Sequence, residues 1–240
     1  MTQHGSFRTT RWSLIQSLHG PAEGRRAALG DLCERYWKPL YAFARRSGES
    51  PEAAEDAVQG FLAAVIDRGD FERADPERGR FRSFLRTAFS RHLMGAAEGE
   101  RAAKRGGGRR PLSLDVGGLE SSLSQSDLDP ASAFERAYAV ETLATALDAL
   151  RTSYEETGKL TIFEALVPTI TAPDESVDRA ALGAQLGVTR GAVDVAVHRL
   201  RSRFREALVG AVRDTVDTDA EAEDELMRLR GALAGDSGAA

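Results

Sequence analysis

From Leu29 to Phe43 apolar side chains return every three or four positions, at Leu29, Leu32, Cys33, Tyr36, Leu40 and Phe43. That spacing predicts one helix with a single buried stripe. Pro39 falls inside the pattern and predicts a kink or a restart, because proline cannot donate to residue 35. Ser50-Pro51 then reads as a helix opening, a capping side chain followed by proline at the first helical position. The buried side of that second helix is Ala54, Ala57, Val58, Phe61, Leu62 and Val65. A polar loop, GDFERADPERG, separates it from a third helix with Phe81, Phe84, Leu85, Ala88, Phe89 and His92 or Leu93 on one side.

The pattern then lapses. Residues 106–133, GGGRRPLSLDVGGLESSLSQSDLDPASA, are rich in Gly, Ser, Asp and Pro with only scattered leucines. Such a composition does not offset the entropy of ordering, and it predicts a flexible linker whose leucines can dock on a partner. Periodicity resumes in an amphipathic helix from Phe134 to Leu150, with Tyr138, Leu143 and Leu147. Helical segments follow near 159–166 and 178–186, and then the stretch LGAQLGVTRGAVDVAVHRLRSRF. The expected organisation is an N-terminal extension over 1–25, a first helical domain over 26–105, the linker, a second helical domain over 134–210 and an acidic extension over 211–240. Period-two runs of β-branched and aromatic residues are missing, so the expected fold class is all-α, with two small helical domains.

Charge sharpens this picture. The chain is acidic, with a formal charge of −5. Yet Arg199, Arg201, Arg203 and Arg205 crowd onto one short helix directly after a tight turn. A DNA-reading helix-turn-helix needs a small residue at the helix crossing, a turn that permits positive φ and apolar residues locking the second helix. Gly183, Gly187 and the set Leu182, Leu186, Val188, Val193 and Val197 meet those needs. The second helix would present Thr189, Arg190, Ala192, Asp194, Val195, His198 and Arg199 outward, its first turns entering a major groove while the later arginines, Arg201 and Arg203 among them, meet phosphates. The competing interpretation is a surface helix whose arginines are merely solvated.

Two further surfaces carry charge in a pattern. Glu52, Glu55, Asp56 and Gln59 form one stripe on the helix opened by Ser50, a docking surface for a basic partner or an ordinary solvated face. No apolar surroundings separate these carboxylates in pKa, so they are not an acid/base pair. From Phe81 to Arg110, Arg82, Arg86 and Arg91 interleave with Phe84, Phe89 and His92, and further cations reach into the linker. Cations track a nucleic-acid backbone and rings stack on bases. The phenylalanines at 81, 84 and 89 are expected in the core, which leaves the arginines as the candidates.

Taken in this order, the chain resembles the extracytoplasmic-function (ECF) sigma factors, bacterial transcription initiation factors. The stretches that carry the resemblance are LCERYWKPLYAFARR, AAEDAVQGFL, FRSFLRTAFSRHLM and LGAQLGVTRGAVDVAVHRLRSRF, across most of residues 26–210. It implies two tethered helical domains acting on RNA polymerase core, through the β′ clamp and the β flap, and on promoter DNA. Glu55, Asp56 and Gln59 match polymerase-docking positions. The GDFERADPERG loop and the Phe81–Arg91 helix match the part that captures the −10 element. Residues from Thr189 onward match the −35 recognition helix. A regulator is expected either in an anti-sigma factor or in the chain's own C-terminal extension, folded onto the recognition helix or onto the first domain.

Other classes fit less well. His4, His19, His92 and His198 are scattered, no nucleophile has an evident base partner and no metal spacing is present. The expectation is therefore no enzyme, no cofactor and no metal. Cys33 is the single cysteine and sits on the buried stripe, which suits core packing and a reducing cytoplasm. No apolar run approaches membrane-spanning length, so no membrane role is expected. The remaining alternative is a helix-turn-helix DNA-binding regulator that does not dock on polymerase core, although the N-terminal block lacks the βαβ pattern of a receiver domain.

Overall fold

The computed structural model describes residues 18, 20–69, 71, 80–102, 119–120, 123, 127–171, 177–213, 216 and 218–235, with the backbone alone at 96–102 and 219. All regular structure among these residues is helical, and the fold is all-α. The chain divides into two compact units, Met1–Glu141 with Val212–Ala240, and Thr142–Ala211. These bounds differ from the expected ones. The start of the second helical block and the C-terminal segment both belong with the first unit.

In the first unit α1 (Ala22–Arg46) runs unbroken through Pro39. The expected restart is not there. From Tyr36 to Ala44 all but Lys38 are buried, and that packing offsets the roughly 3 kcal/mol that an internal proline costs. Leu29 and Cys33 are only partly buried, at the edge of the stripe. The second helix, α2 (Pro51–Arg68), begins as the sequence predicts: Ser50 Oγ accepts from the Ala53 amide at 3.2 Å and Pro51 takes the first position. It ends at Gly69 in the left-handed conformation, with φ 63°.

The third helix, α3 (Phe81–Ala102), packs Phe81, Leu85, Phe89 and Leu93 inward. Phe84 is a correction, because it is 41% exposed rather than core. Phe43, Phe61 and His92 gather around Phe89, with Phe61 and Phe89 ring centroids 5.1 Å apart.

Part of the expected linker is docked on this unit. Glu120 accepts from the Tyr41 hydroxyl at 2.7 Å and from Arg45 Nε at 2.7 Å, and Leu123 is buried. Residues 103–118 lie outside the described residues, as do most of the N-terminal extension and the GDFERADPERG loop apart from Gly69 and Phe71. Helix α4 (Pro130–Glu156) starts earlier than its periodicity predicts. Asp129 caps it, accepting from the Ala131 and Ser132 amides at 2.9 and 3.0 Å. Its first turns bury Ala133, Phe134, Ala137, Tyr138 and Ala139 in the core of the first unit, where Tyr138 stacks on Tyr36 at 5.6 Å.

The second unit is built from the rest of α4, α5 (Leu160–Leu166), α6 (Pro168–Thr171), α7 (Arg179–Leu186) and most of α8 (Arg190–Arg213). Its core is Leu150, Tyr154, Phe163, Leu166, Leu182, Val193, Val197 and Leu200. A last helix, α9 (Asp219–Ala234), opens with a reciprocal capping box between Thr218 and Glu221 and returns to the first unit. It buries Ala222 and Leu229 there, with Leu226, Ala232 and Leu233 packed alongside.

Candidate functional site

The helix-turn-helix expected from the sequence forms within the second unit. Asp178 caps α7 by accepting from the Ala180 and Ala181 amides, and those amides hold its carboxyl below the usual carboxylate range. Gly187 ends α7 with φ 67°. The Val188 amide then donates to the Gly183 carbonyl at 2.9 Å. A Cβ built on Gly183 would lie 2.9 Å from the Val188 carbonyl oxygen, so the small residue at this crossing is sterically required. Thr189 Oγ1 accepts from the Ala192 amide at 3.3 Å and caps α8.

On α8, Val193, Val197 and Leu200 face the core. Thr189, Arg190, Ala192, Val195, His198, Arg199, Arg201 and Arg203 are exposed. Val195, at 51% exposure, is a large apolar side chain left facing out in the middle of this row. Asp194 is partly turned to the unit itself, where it pairs with Arg179 Nη1 at 2.9 Å and ties α8 to α7. Arg201 donates to the Thr169 carbonyl at 3.0 Å, and the Arg203 guanidinium lies 5.4 Å from the Tyr154 ring centroid. These last two arginines brace the unit as well as charging its surface.

On α2 the acidic stripe is intact. Glu52 and Asp56 are exposed, and Glu55 and Gln59 are partly so, on the side away from Ala54, Val58, Phe61 and Leu62. Its own backbone amide and then the Ser50 hydroxyl, which donates at 3.0 Å, hold the Glu52 carboxyl below its usual range.

The arginines of α3 are placed differently from one another. Arg91 is exposed. Arg86 is partly buried and donates to Glu135 Oε1 at 2.9 Å. Arg82 is 6% exposed. Its Nε donates to Glu135 Oε2 at 2.7 Å, its Nη1 donates to Glu225 Oε1, and its guanidinium lies 5.4 Å from the Tyr138 ring centroid. As folded, Arg82 is presented to carboxylates of its own chain and not to solvent.

Three residues of this cluster escape sequence reasoning: Glu135 on α4, Glu225 on α9, and Arg80 just ahead of α3. Arg80 Nε and Glu225 Oε2 lie 3.0 Å apart as an ion pair but are not aligned as a hydrogen bond, although both atoms are buried. Burial, followed by repulsion from Arg82 and Arg228, pulls the Arg80 pKa below the ordinary guanidinium value. The periodic signal for α9 was in the sequence, since Ala222, Leu226, Leu229 and Leu233 recur at helical spacing behind a Thr-x-x-Glu box.

Among the described residues no group of three or more His, Cys, Asp or Glu side chains is placed to hold a metal ion, and no helix is long and apolar enough to cross a membrane. Comparison of the chain with protein-family models, with curated proteins and with solved structures finds no match.

Proposed function

We propose that this chain is a bacterial transcription initiation factor of the extracytoplasmic-function sigma type, which binds core RNA polymerase and directs it to promoters. The observation that carries the reading is the helix-turn-helix of the second unit, with its crossing glycine at 183 and an open row from Thr189 to Arg203 on α8. In this reading α8 reads the −35 element, its first turns meeting base edges and its later arginines meeting phosphates.

The first unit docks on the β′ clamp through Glu52, Glu55, Asp56 and Gln59, and the second on the β flap. The open α3 residue Arg91 is the first −10 contact; Arg82 and Arg86 join it only after their carboxylate partners withdraw. Each module binds weakly, and their covalent linkage raises the effective concentration of the second once the first is seated. Polymerase contributes its own DNA contacts, so a net charge of −5 does not conflict with promoter binding. The protein is then not an enzyme, needs no cofactor and works in the cytoplasm, where polymerase and DNA are found.

Run-off transcription with purified core polymerase and a pool of promoter fragments tests this. The expected result is initiation at defined start points that depends on the added protein and is lost on replacing Glu55 and Asp56 together with Ala. A protein that binds duplex DNA without polymerase and never retains core enzyme would instead be a stand-alone helix-turn-helix regulator.

A further inference from the structure

Helix α9 covers the start of α3 with one carboxylate placed between two guanidinia. Glu225 is fully buried, and its two oxygens are divided between Arg82 and Arg80. A carboxylate bridging two arginines offers the same charge and paired acceptor oxygens as a backbone phosphodiester. Phe84, one turn beyond Arg80 on the same helix, is a 41% exposed ring. Guanidinia for phosphates and exposed rings for bases are the usual components of a single-strand site.

The contact is also built to be reversible. The Arg80–Glu225 pair is close but misaligned for hydrogen bonding, so the buried charge is incompletely satisfied. Beyond that cluster α9 is held by the buried Ala222 and Leu229, by flanking partly buried leucines and by an Arg136 hydrogen bond to the Leu233 carbonyl at 3.2 Å. Few deeply buried apolar contacts mark a segment that opens at low cost.

We propose that α9 is a displaceable internal competitor, with Glu225 occupying the place on Arg80 and Arg82 that a phosphate of single-stranded DNA takes when the site is in use. This rests on the sigma-factor reading for the identity of the strand, the non-template strand of an opening promoter. It narrows the regulatory role of the C-terminal extension to one contact within the first unit.

The test measures binding of a short labelled oligothymidylate to the full chain and to two variants that each remove one negative charge. Glu225→Gln weakens the internal competitor, and its affinity should rise at least about fivefold, in step with the open population. Glu223→Gln removes an exposed charge from the same helix and should change affinity less than about twofold. In the unaltered chain, amide protection across 222–233 should fall when the oligonucleotide is added, a readout that needs no variant. Equal shifts in the two variants, or unchanged protection of α9 under saturating oligonucleotide, would overturn the proposal. Run-off assays separate the two ideas. Promoter-specific initiation with no displacement of α9 sinks the competitor and leaves the sigma reading standing, whereas displacement of α9 with no initiation by any variant does the reverse.

Discussion

Gly183 on α7 and Val188 in the following turn are closer than any side chain allows: a Cβ on the first would meet the carbonyl oxygen of the second at 2.9 Å. The same pair is joined by the hydrogen bond from the Val188 amide to the Gly183 carbonyl. Backbone on backbone cannot yield as a flexible side chain does. Gly183→Ala should therefore open the turn and destabilise the second unit by about 1–3 kcal/mol, the usual cost of overpacking. Urea unfolding followed by circular dichroism measures it, and duplex binding should fall along with stability. Gly191→Ala has open space around it and should leave both close to the parent values.

How much of this was legible beforehand follows from how local each signal is. The start of α2 at Ser50-Pro51, its end at Gly69 and the turn at Gly187 are set by neighbours within a few residues, and the structure places them where the sequence predicts. Arg82 stands among the candidate strand contacts because an arginine on a helix looks the same in sequence whether solvated or paired. Its partners stand 53 and 143 positions further along the chain, beyond any local pattern. The same distance problem hid the docking of Glu120 on Tyr41 and Arg45 from a reading based on composition. Phe84 departs from its expected core position for a different reason. The buried face of α3 follows the four-residue steps Phe81, Leu85, Phe89 and Leu93, which leaves a residue at 84 on the margin of the stripe.

Removing Arg82 should cost stability before it affects any DNA contact. Arg82→Ala leaves the buried Glu225 with only the misaligned Arg80 and deprives Glu135 of its closest partner. Breaking a buried pair from one side costs about 3 kcal/mol or more, because the other charge stays desolvated. Thermal melting should show a clear loss for Arg82→Ala. Arg91→Ala, at an exposed position, should stay within about 0.5 kcal/mol of the parent. Equal, small effects at the two positions would show that Arg82 is not held as described.

The arginines of α8 should separate by what each touches. Arg199→Ala should weaken duplex binding and lower the log–log salt slope by about 1, the signature of one lost phosphate contact, with the melting temperature unchanged. Arg203→Ala should lose affinity and also stability, about 0.5–1 kcal/mol for the stacking on Tyr154. Salt-dependent anisotropy titrations beside thermal melts distinguish them. A salt slope unaffected by Arg199→Ala would remove that residue from the interface.

His92 gives the first unit a pH dependence whose sign is fixed by its surroundings. The ring packs against Phe61 at 5.5 Å and Phe89 at 6.3 Å, and burial, then the nearby Arg68, lowers its pKa from the ordinary 6.5. Below 6.5 the unfolded chain takes up a proton that the folded ring resists, so the unfolded state binds more protons. The stabilisation from the neutral ring is complete above 6.5 and is lost as pH falls through the lower, folded value. Carboxyls held down by their partners, such as Glu120 beside Arg45 and Asp129 at the α4 cap, titrate below 4.5 and stay outside this window. Urea midpoints should therefore drop on acidification from about pH 7.5 to about 5.5 in the parent chain. His92→Phe keeps the ring stack without a titrating group and should flatten that dependence. An unchanged slope in the variant would assign the acid sensitivity to other groups.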